Sequence, residues 1–172
     1  MDMTLRQAVG EDARAIAAVH VVTWQVAYDG IIPADVLDGL SIEHRASKWR
    51  ETIAGLGSGE RLEVAEDGGR VVGFAFTGAC KDEDAFGLGE LYAIYVAPSH
   101  WGRGAGPALL ASARETLVGA GHDRAVLWVL EDNKRARAFY ERDGWVPDGA
   151  VKSYGEGGGV RAVRYRVDLS VP

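Results

Sequence analysis

"ELYAIYVAPSHWGRGAGPALLASARETL", residues 90–117, decides the fold. An apolar, strand-like run from Glu90 to Val96 leads into the loop "HWGRGAG" at 100–106, and a helix-like run follows from Pro107. Three glycines, Gly102, Gly104 and Gly106, fall within five positions at this junction. Glycine reaches positive φ without strain and lets backbone approach a ligand with no Cβ in the way. A helix N-terminus adds unpaired N–H groups and a partial positive charge, so the junction suits an anion, phosphate above all. A plain tight corner is the alternative. Spacing excludes two other phosphate loops. A P-loop needs Lys-Ser or Lys-Thr after its last glycine, and Pro107-Ala108 stands there. A dinucleotide fingerprint needs a glycine three positions after its second, and the two registers place Pro107 or Leu109 at that point.

Working outward, "RLEVAED" (61–67) and "RVVGFAFTGA" (70–79) flank Gly68-Gly69 and predict a hairpin. "TLRQA" (4–8) predicts a first strand. Ile16, Val19, Trp24 and Tyr28 recur at helical spacing and predict a helix over 12–28, closed by Gly30. Residues 30–40 read as a loop with one helical turn, and Ser41 as the N-cap of a helix reaching Gly55. Beyond the glycine loop come a helix over 107–121 with proline inside its start and a buried strand, "DRAVLWVL" (123–130). A short helix, "DNKRARAFYERDG" (132–144), is stopped by Gly144, and a final strand, "VRAVRYRVDLS", spans 160–170. "GEGGG" (155–159) lies between two strands and reads as a flexible hairpin loop. The order β-α-α-β-β-β-α-β-α-β-β predicts one α/β domain over 1–172, a mixed sheet of about seven strands with helices on both faces.

Composition narrows the function. The 172 residues suffice for one full core and fall short of two. A net charge of −6 argues against nucleic-acid partners, which require a large basic surface. One cysteine, Cys80, precludes an internal disulfide and fits a reducing compartment. The first residues show no signal pattern and no apolar run reaches spanning length, so a cytoplasmic protein without membrane partners is expected. Four scattered histidines and one cysteine offer no zinc-ligand spacing.

A second motif resolves the choice between corner and cradle. "NKRARAFYERDGW" (133–145) resembles the Asn-x-x-Ala-x-x-Phe-Tyr…Gly-Trp motif of the GNAT N-acetyltransferase superfamily. Asn133, Ala136, Phe139, Tyr140, Gly144 and Trp145 match. "WGRGAG" is similar to that superfamily's pyrophosphate loop, Gln/Arg-x-x-Gly-x-Gly/Ala, with Gly104 and Gly106 in register. Trp101 departs from the pattern at the Gln/Arg position, and Pro107 removes one N–H. The two motifs stand in the family's order, separated by one helix and one strand.

The resemblance implies an acetyltransferase that uses acetyl-coenzyme A as cosubstrate and acetylates a primary amine of a small molecule or peptide. It implies a pyrophosphate site at Trp101, Gly102, Arg103, Gly104, Ala105 and Gly106. It implies pantetheine contacts from the backbone of Ile94 and Val96 and from Asn133, with Tyr140 as general acid toward the departing thiolate. Asn133, Arg137 and Tyr140 share one helical stripe, and seven residues span about 10 Å along the axis. Arg135 and Arg137, with Lys134 and Arg103, supply local positive charge for an anionic cofactor on an acidic protein. Glu90 is the candidate general base, as in some histone-modifying members. A water chain, or Glu90 as a paired strand-start residue, is the alternative. For Tyr140 the alternative is a core tyrosine, and for Asn133 a helix N-cap. Trp24, Tyr28, Trp128 and Tyr154 are candidates for the acceptor pocket, with core packing the commoner role of aromatic residues at helical spacing. His20 reads as a packed or surface histidine, and His100 and His122 as loop residues. Cys80 lies outside both motifs, which favours direct transfer over an acetyl-enzyme. Homodimers are frequent among such proteins. Non-catalytic acyl-coenzyme A sensors with the same fold are the rival reading, and an interaction module with a purely structural loop is another.

Overall fold

The computed structural model describes residues 3–169, so Ser170, read above as the end of the last strand, lies outside them. The strands are β1 (Thr4–Gln7), β2 (Arg61–Asp67), β3 (Arg70–Ala79), β4 (Gly89–Val96), β5 (Arg124–Leu130), β6 (Val146–Tyr154) and β7 (Val160–Asp168). The helices are α1 (Ala13–Ala27), α2 (Ala34–Asp38), α3 (Ile42–Ala54), α4 (Ala105–Gly119) and α5 (Lys134–Arg142). One seven-stranded sheet has the order β1-β2-β3-β4-β5-β7-β6. Every pair is antiparallel except β4 with β5. This is the mixed α/β sheet expected. No helix among the described residues is long and apolar enough to cross a membrane.

Local chemistry accounts for the helix ends. Ser41 Oγ accepts the His44 N–H at 3.2 Å and caps α3, while Asn133 Oδ1 accepts the Ala136 N–H at 3.1 Å and caps α5. Helix α4 begins at Ala105, two residues ahead of the expected start, because Gly104 takes the cap with φ +92°. Pro107 still fits, since the amides of a first turn have no intrahelical acceptor to lose. The segment read as a loop with one turn contains the five-residue α2.

The "GEGGG" loop differs from expectation. It opens with a 3-10 turn at Gly155–Gly157, Gly158 packs on Pro33, and Glu156 pairs with Arg45 of α3 and accepts from the Tyr154 hydroxyl at 3.1 Å. These contacts tie down a hairpin that its composition describes as flexible.

Both faces of the sheet are covered. Ile16 and Val19 of α1, with Trp49 and Ile53 of α3, pack on Leu62, Val64 and Phe74. Leu109, Leu110, Ala113 and Leu117 of α4, with Tyr140 of α5, pack on Leu91, Val96, Leu127 and Tyr165. Burying one such leucine stabilises the fold by ~1.5–3 kcal/mol. A third cluster gathers Ile32, Leu37, Leu130 and Ala162 around Trp24.

One irregularity positions the site. Strands β4 and β5 pair only at Gly89↔Ala125, Glu90↔Val126 and Leu91↔Leu127, and then part. On the other side of β4, Phe76 pairs with Ala93 and Thr77 with Leu91, so Tyr92 is an extra, bulged residue. A bulge bends its strand and shifts the alternation of faces. Leu91 packs toward α4, whereas Ala93 and Tyr95 pack toward α1 and α3. The Tyr92 ring folds over Gly78, where an added Cβ would lie 2.6 Å from the phenol oxygen. The bend at Tyr92 coincides with the point where β4 leaves β5.

Candidate active site

The parting of the parallel strands opens a cleft of about 820 Å³, a size usual for a ligand site. Its walls are the Leu91–Val96 stretch of β4, the Trp128–Leu130 stretch of β5, the glycine loop and the first turns of α5. Beyond Leu91 the edge of β4 that faces β5 has no ladder partner. Backbone groups stranded in this way are available to a ligand.

At one end, Gly102 (φ +73°) and Gly104 (φ +92°) adopt left-handed backbone, and a Cβ at either would meet nothing within 4 Å. The loop surface is therefore open, and the amides of the first turn of α4 face an accessible space. Ala105, fully buried, anchors the helix start in the core, and Gly106 sits against the Phe139 ring. Trp101 donates its indole N–H to the Val96 carbonyl at 2.7 Å, and the Arg135 guanidinium lies over its ring at 3.4 Å. Burial lowers the Arg135 pKa.

Three of the four expected cations stand elsewhere. Arg103 and Lys134 are exposed and do not line the cleft. Arg137 is turned toward β7, donating to the Tyr165 hydroxyl at 2.8 Å and to the Glu131 carbonyl at 2.9 Å. The expected stripe of Asn133, Arg137 and Tyr140 is corrected accordingly. The helical phase brings Asn133, Ala136 and Tyr140 to the cleft and leaves Arg137 at the stripe's edge, where Tyr165 captures it. Arg142 lines the cleft in addition, and no sequence signal singled it out.

Tyr140 and Glu90 both line the cleft. Tyr140 is 8% exposed, and burial raises its pKa far above the ordinary phenol value, so it keeps its proton at neutral pH. Glu90 is half-buried and accepts the Lys81 N–H at 3.3 Å. Burial raises its pKa, the Asp82 charge adds to the rise, and Lys152 and the Lys81 N–H oppose it. Cys80 is buried nearby, and desolvation pushes its thiol up to about 11. A thiol so rarely ionised is a poor nucleophile.

The remaining wall is aromatic. Trp24, Tyr28, Tyr95, Tyr154 and Trp128 line it, with the Tyr28 and Tyr95 hydroxyls 3.5 Å apart. Trp128 donates its indole N–H to Asp82 at 2.9 Å, and Lys152 Nζ lies 4.1 Å from the Trp128 ring centre. Asp82 is held in turn by Arg164, which also binds Asp84 and Asp148. Tyr95, Lys152, Asp82 and Arg164 carry no motif, and only three-dimensional pairing brings them here. Of the packed and surface positions open to His20, the structure shows the packed one: it stacks on Tyr95 at 5.2 Å, and its Nδ1 accepts the Trp49 indole N–H at 3.1 Å. His100 lies at the cleft, 3.6 Å from Asp67, while His122 contacts the Gly87 carbonyl outside it.

A cleft between parting parallel strands, fed by a glycine loop and a capped helix, agrees with the N-acetyltransferase resemblance of the two motifs. The Acetyltransferase (GNAT) family profile matches residues 34–145. The uncharacterized N-acetyltransferase YuaI of Bacillus subtilis is 37% identical over 160 residues, covering 92% of this chain and 88% of that protein. The mycothiol acetyltransferase of Beutenbergia cavernae is 43% identical over 67 residues, 39% of this chain and 23% of that longer protein. Among solved structures, the PaiA N-acetyltransferase of Thermoplasma acidophilum, in complex with coenzyme A, has the same fold. Its TM-score is 0.74 at 18% identity, covering 95% of this chain and 98% of that one.

The chain belongs to the acetyltransferase (GNAT) family. The family makes it an acetyltransferase.

Proposed function

We propose that residues 1–172 act as one domain that moves an acetyl group directly from acetyl-coenzyme A to a primary amine of a small molecule or peptide, in the cytoplasm. The observation carrying this reading is that Glu90, with its raised pKa, and Tyr140, with its retained proton, line one cleft.

The open loop at Gly102 and Gly104 and the Gly106 amide receive the pyrophosphate, with the Arg135 guanidinium beside them on Trp101. The free edge of β4 at Ile94 and Val96 and the side-chain amide of Asn133 hold the pantetheine arm. An alkylamine arrives protonated, its pKa near 10, and must lose a proton before it can attack. Glu90 takes that proton, directly or through one water. The nitrogen forms its bond to the thioester carbon, and β4 N–H groups without ladder partners meet the developing oxyanion. Collapse re-forms the carbonyl and breaks the C–S bond, and the nitrogen, cationic since it attacked, gives up its second proton to water to leave the neutral amide. Tyr140 donates its hydrogen bond to the leaving sulfur, and its proton passes to the thiolate and is replaced from solvent. Because the buried phenol is a weaker acid than a thiol, hydrogen-bond donation is the larger part of this role. With its thiol held protonated, Cys80 supports the direct route.

The test is release of free coenzyme A from acetyl-coenzyme A in the presence of primary amines, with alcohols and water as controls. Amine-dependent release with an N-acetyl product by mass spectrometry is expected. Hydrolysis alone, or transfer only to hydroxyls, would overturn the reading.

A further inference from the structure

Among the described residues lining the cleft, Glu90 is the sole carboxylate, against Arg135, Arg142 and Lys152. The cleft is thus positive while the whole chain carries −6. Arg135 stands at the glycine-loop end, over Trp101, where an anionic cosubstrate accounts for it. Lys152 has no such explanation. It lies on β6 over Trp128, whose indole is pinned by Asp82, and its charge acts on Glu90. Its side chain is exposed, and among the described residues no carboxylate lies within ion-pair distance of it.

A simple cationic acceptor, such as a polyamine or a protein lysine, would bring its ammonium to Glu90 and meet repulsion from Lys152. An acceptor carrying its own acid group turns the same cation into an attraction.

We propose that Lys152 is a specificity-determining residue and that the acceptor is an amine bearing a carboxylate or similar acid group, in chemical class an amino acid. Its ammonium goes to Glu90 and its acid group to Lys152. Trp24, Tyr28, Tyr95 and Tyr154 form an aromatic wall for an apolar side chain. The pinned Trp128 helps keep Lys152 in place, with the ammonium held over the indole face. This assignment rests on the acetyl-transfer reading above.

The test compares L-phenylalanine with phenethylamine and L-leucine with 3-methylbutylamine as acceptors, alongside spermidine, for the wild type and for Lys152→Ala and Lys152→Arg. The expected kcat/KM in the wild type is at least tenfold higher for each amino acid than for its decarboxylated partner. Lys152→Ala lowers that ratio about tenfold or more through KM, and Lys152→Arg restores most of it. Retained folding is checked by thermal melting of each variant. Wild-type preference for the decarboxylated amines or spermidine, or a ratio unmoved in Lys152→Ala, would overturn the proposal while leaving amine acetylation standing. Failure to acetylate any amine would remove the transfer reading, and this proposal with it.

Discussion

The Arg135 guanidinium stacks 3.4 Å from the Trp101 ring centre, joining the first turn of α5 to the glycine loop across the mouth of the cleft. Trp101 stands where the family motif has Gln or Arg, and the loop's own Arg103 lies outside the cleft, so the positive charge at this end of the cleft comes from Arg135 of the facing helix. Charge-assisted hydrogen bonds to phosphate are worth ~1.5–3 kcal/mol. Arg135→Ala is therefore expected to raise KM for acetyl-coenzyme A by roughly tenfold or more, with kcat little changed. Acetyl-pantetheine, which lacks the phosphates, should show no comparable loss. Equal losses with both donors would place Arg135 outside the phosphate site.

Gly104 caps α4 at φ +92° with open space where a Cβ would lie. Gly104→Ala thus meets no steric neighbour, only backbone strain of ~1–2 kcal/mol. A drop in melting temperature of a few degrees is expected, with weaker acetyl-coenzyme A binding by titration calorimetry as the amides re-aim. Unchanged affinity would mean that those amides do not contact the donor.

Glu90 titrates above the ordinary carboxylate value of 4.5 because burial and Asp82 disfavour its charge. A base works only when deprotonated, so kcat/KM should fall as pH drops through this raised pKa. Asp82→Asn removes a charge that raises it and should move the inflection to lower pH. Glu90→Gln should abolish that limb. A limb surviving in Glu90→Gln would assign the proton to another group or to water.

His20 is buried and neutral, its pKa lowered to about 3 by desolvation, with the Arg45 charge second. A histidine depressed on folding contributes stability that is complete above its unfolded pKa near 6.5 and is lost as pH falls below it. At ~1.36 kcal/mol per pH unit, about 2 kcal/mol should go between pH 7 and pH 5. The corresponding fall in melting temperature is roughly 4–8 °C. His20→Gln can still accept from the Trp49 indole but cannot titrate, so melting curves at the two pH values should lie closer together. An unaltered pH dependence would exonerate His20.

What the sequence discloses and what it hides divide on physical lines. Ser41, Gly144 and the hairpin about Gly68-Gly69 act through their own backbone, and β2 and β3 begin and end where the pattern puts them. The two motifs are local as well, so Gly104, Asn133 and Tyr140 were legible. The bulge at Tyr92 is not local. It depends on register against β3 and on the space left by Gly78, and it decides where β4 leaves β5. Arg137 shows the limit of spacing arguments. Its helical position suits the cleft stripe, but Tyr165, 28 residues away, takes its guanidinium. Lys152, Asp82 and Arg164 lie on segments with no shared pattern: the β5-β7-β6 pairing brings Lys152 and Arg164 to Trp128, and Asp82 reaches the same indole from the β3–β4 connection.

The most direct test of the account is Tyr140→Phe, measured for acetyl-coenzyme A affinity by calorimetry and for acetyl transfer by single turnover. The phenol lines the cleft with its proton retained by burial, so removing only its oxygen should leave affinity nearly intact and slow transfer by about 10²-fold. Unchanged affinity together with unchanged transfer would contradict the account, because the departing thiolate would then have no need of Tyr140.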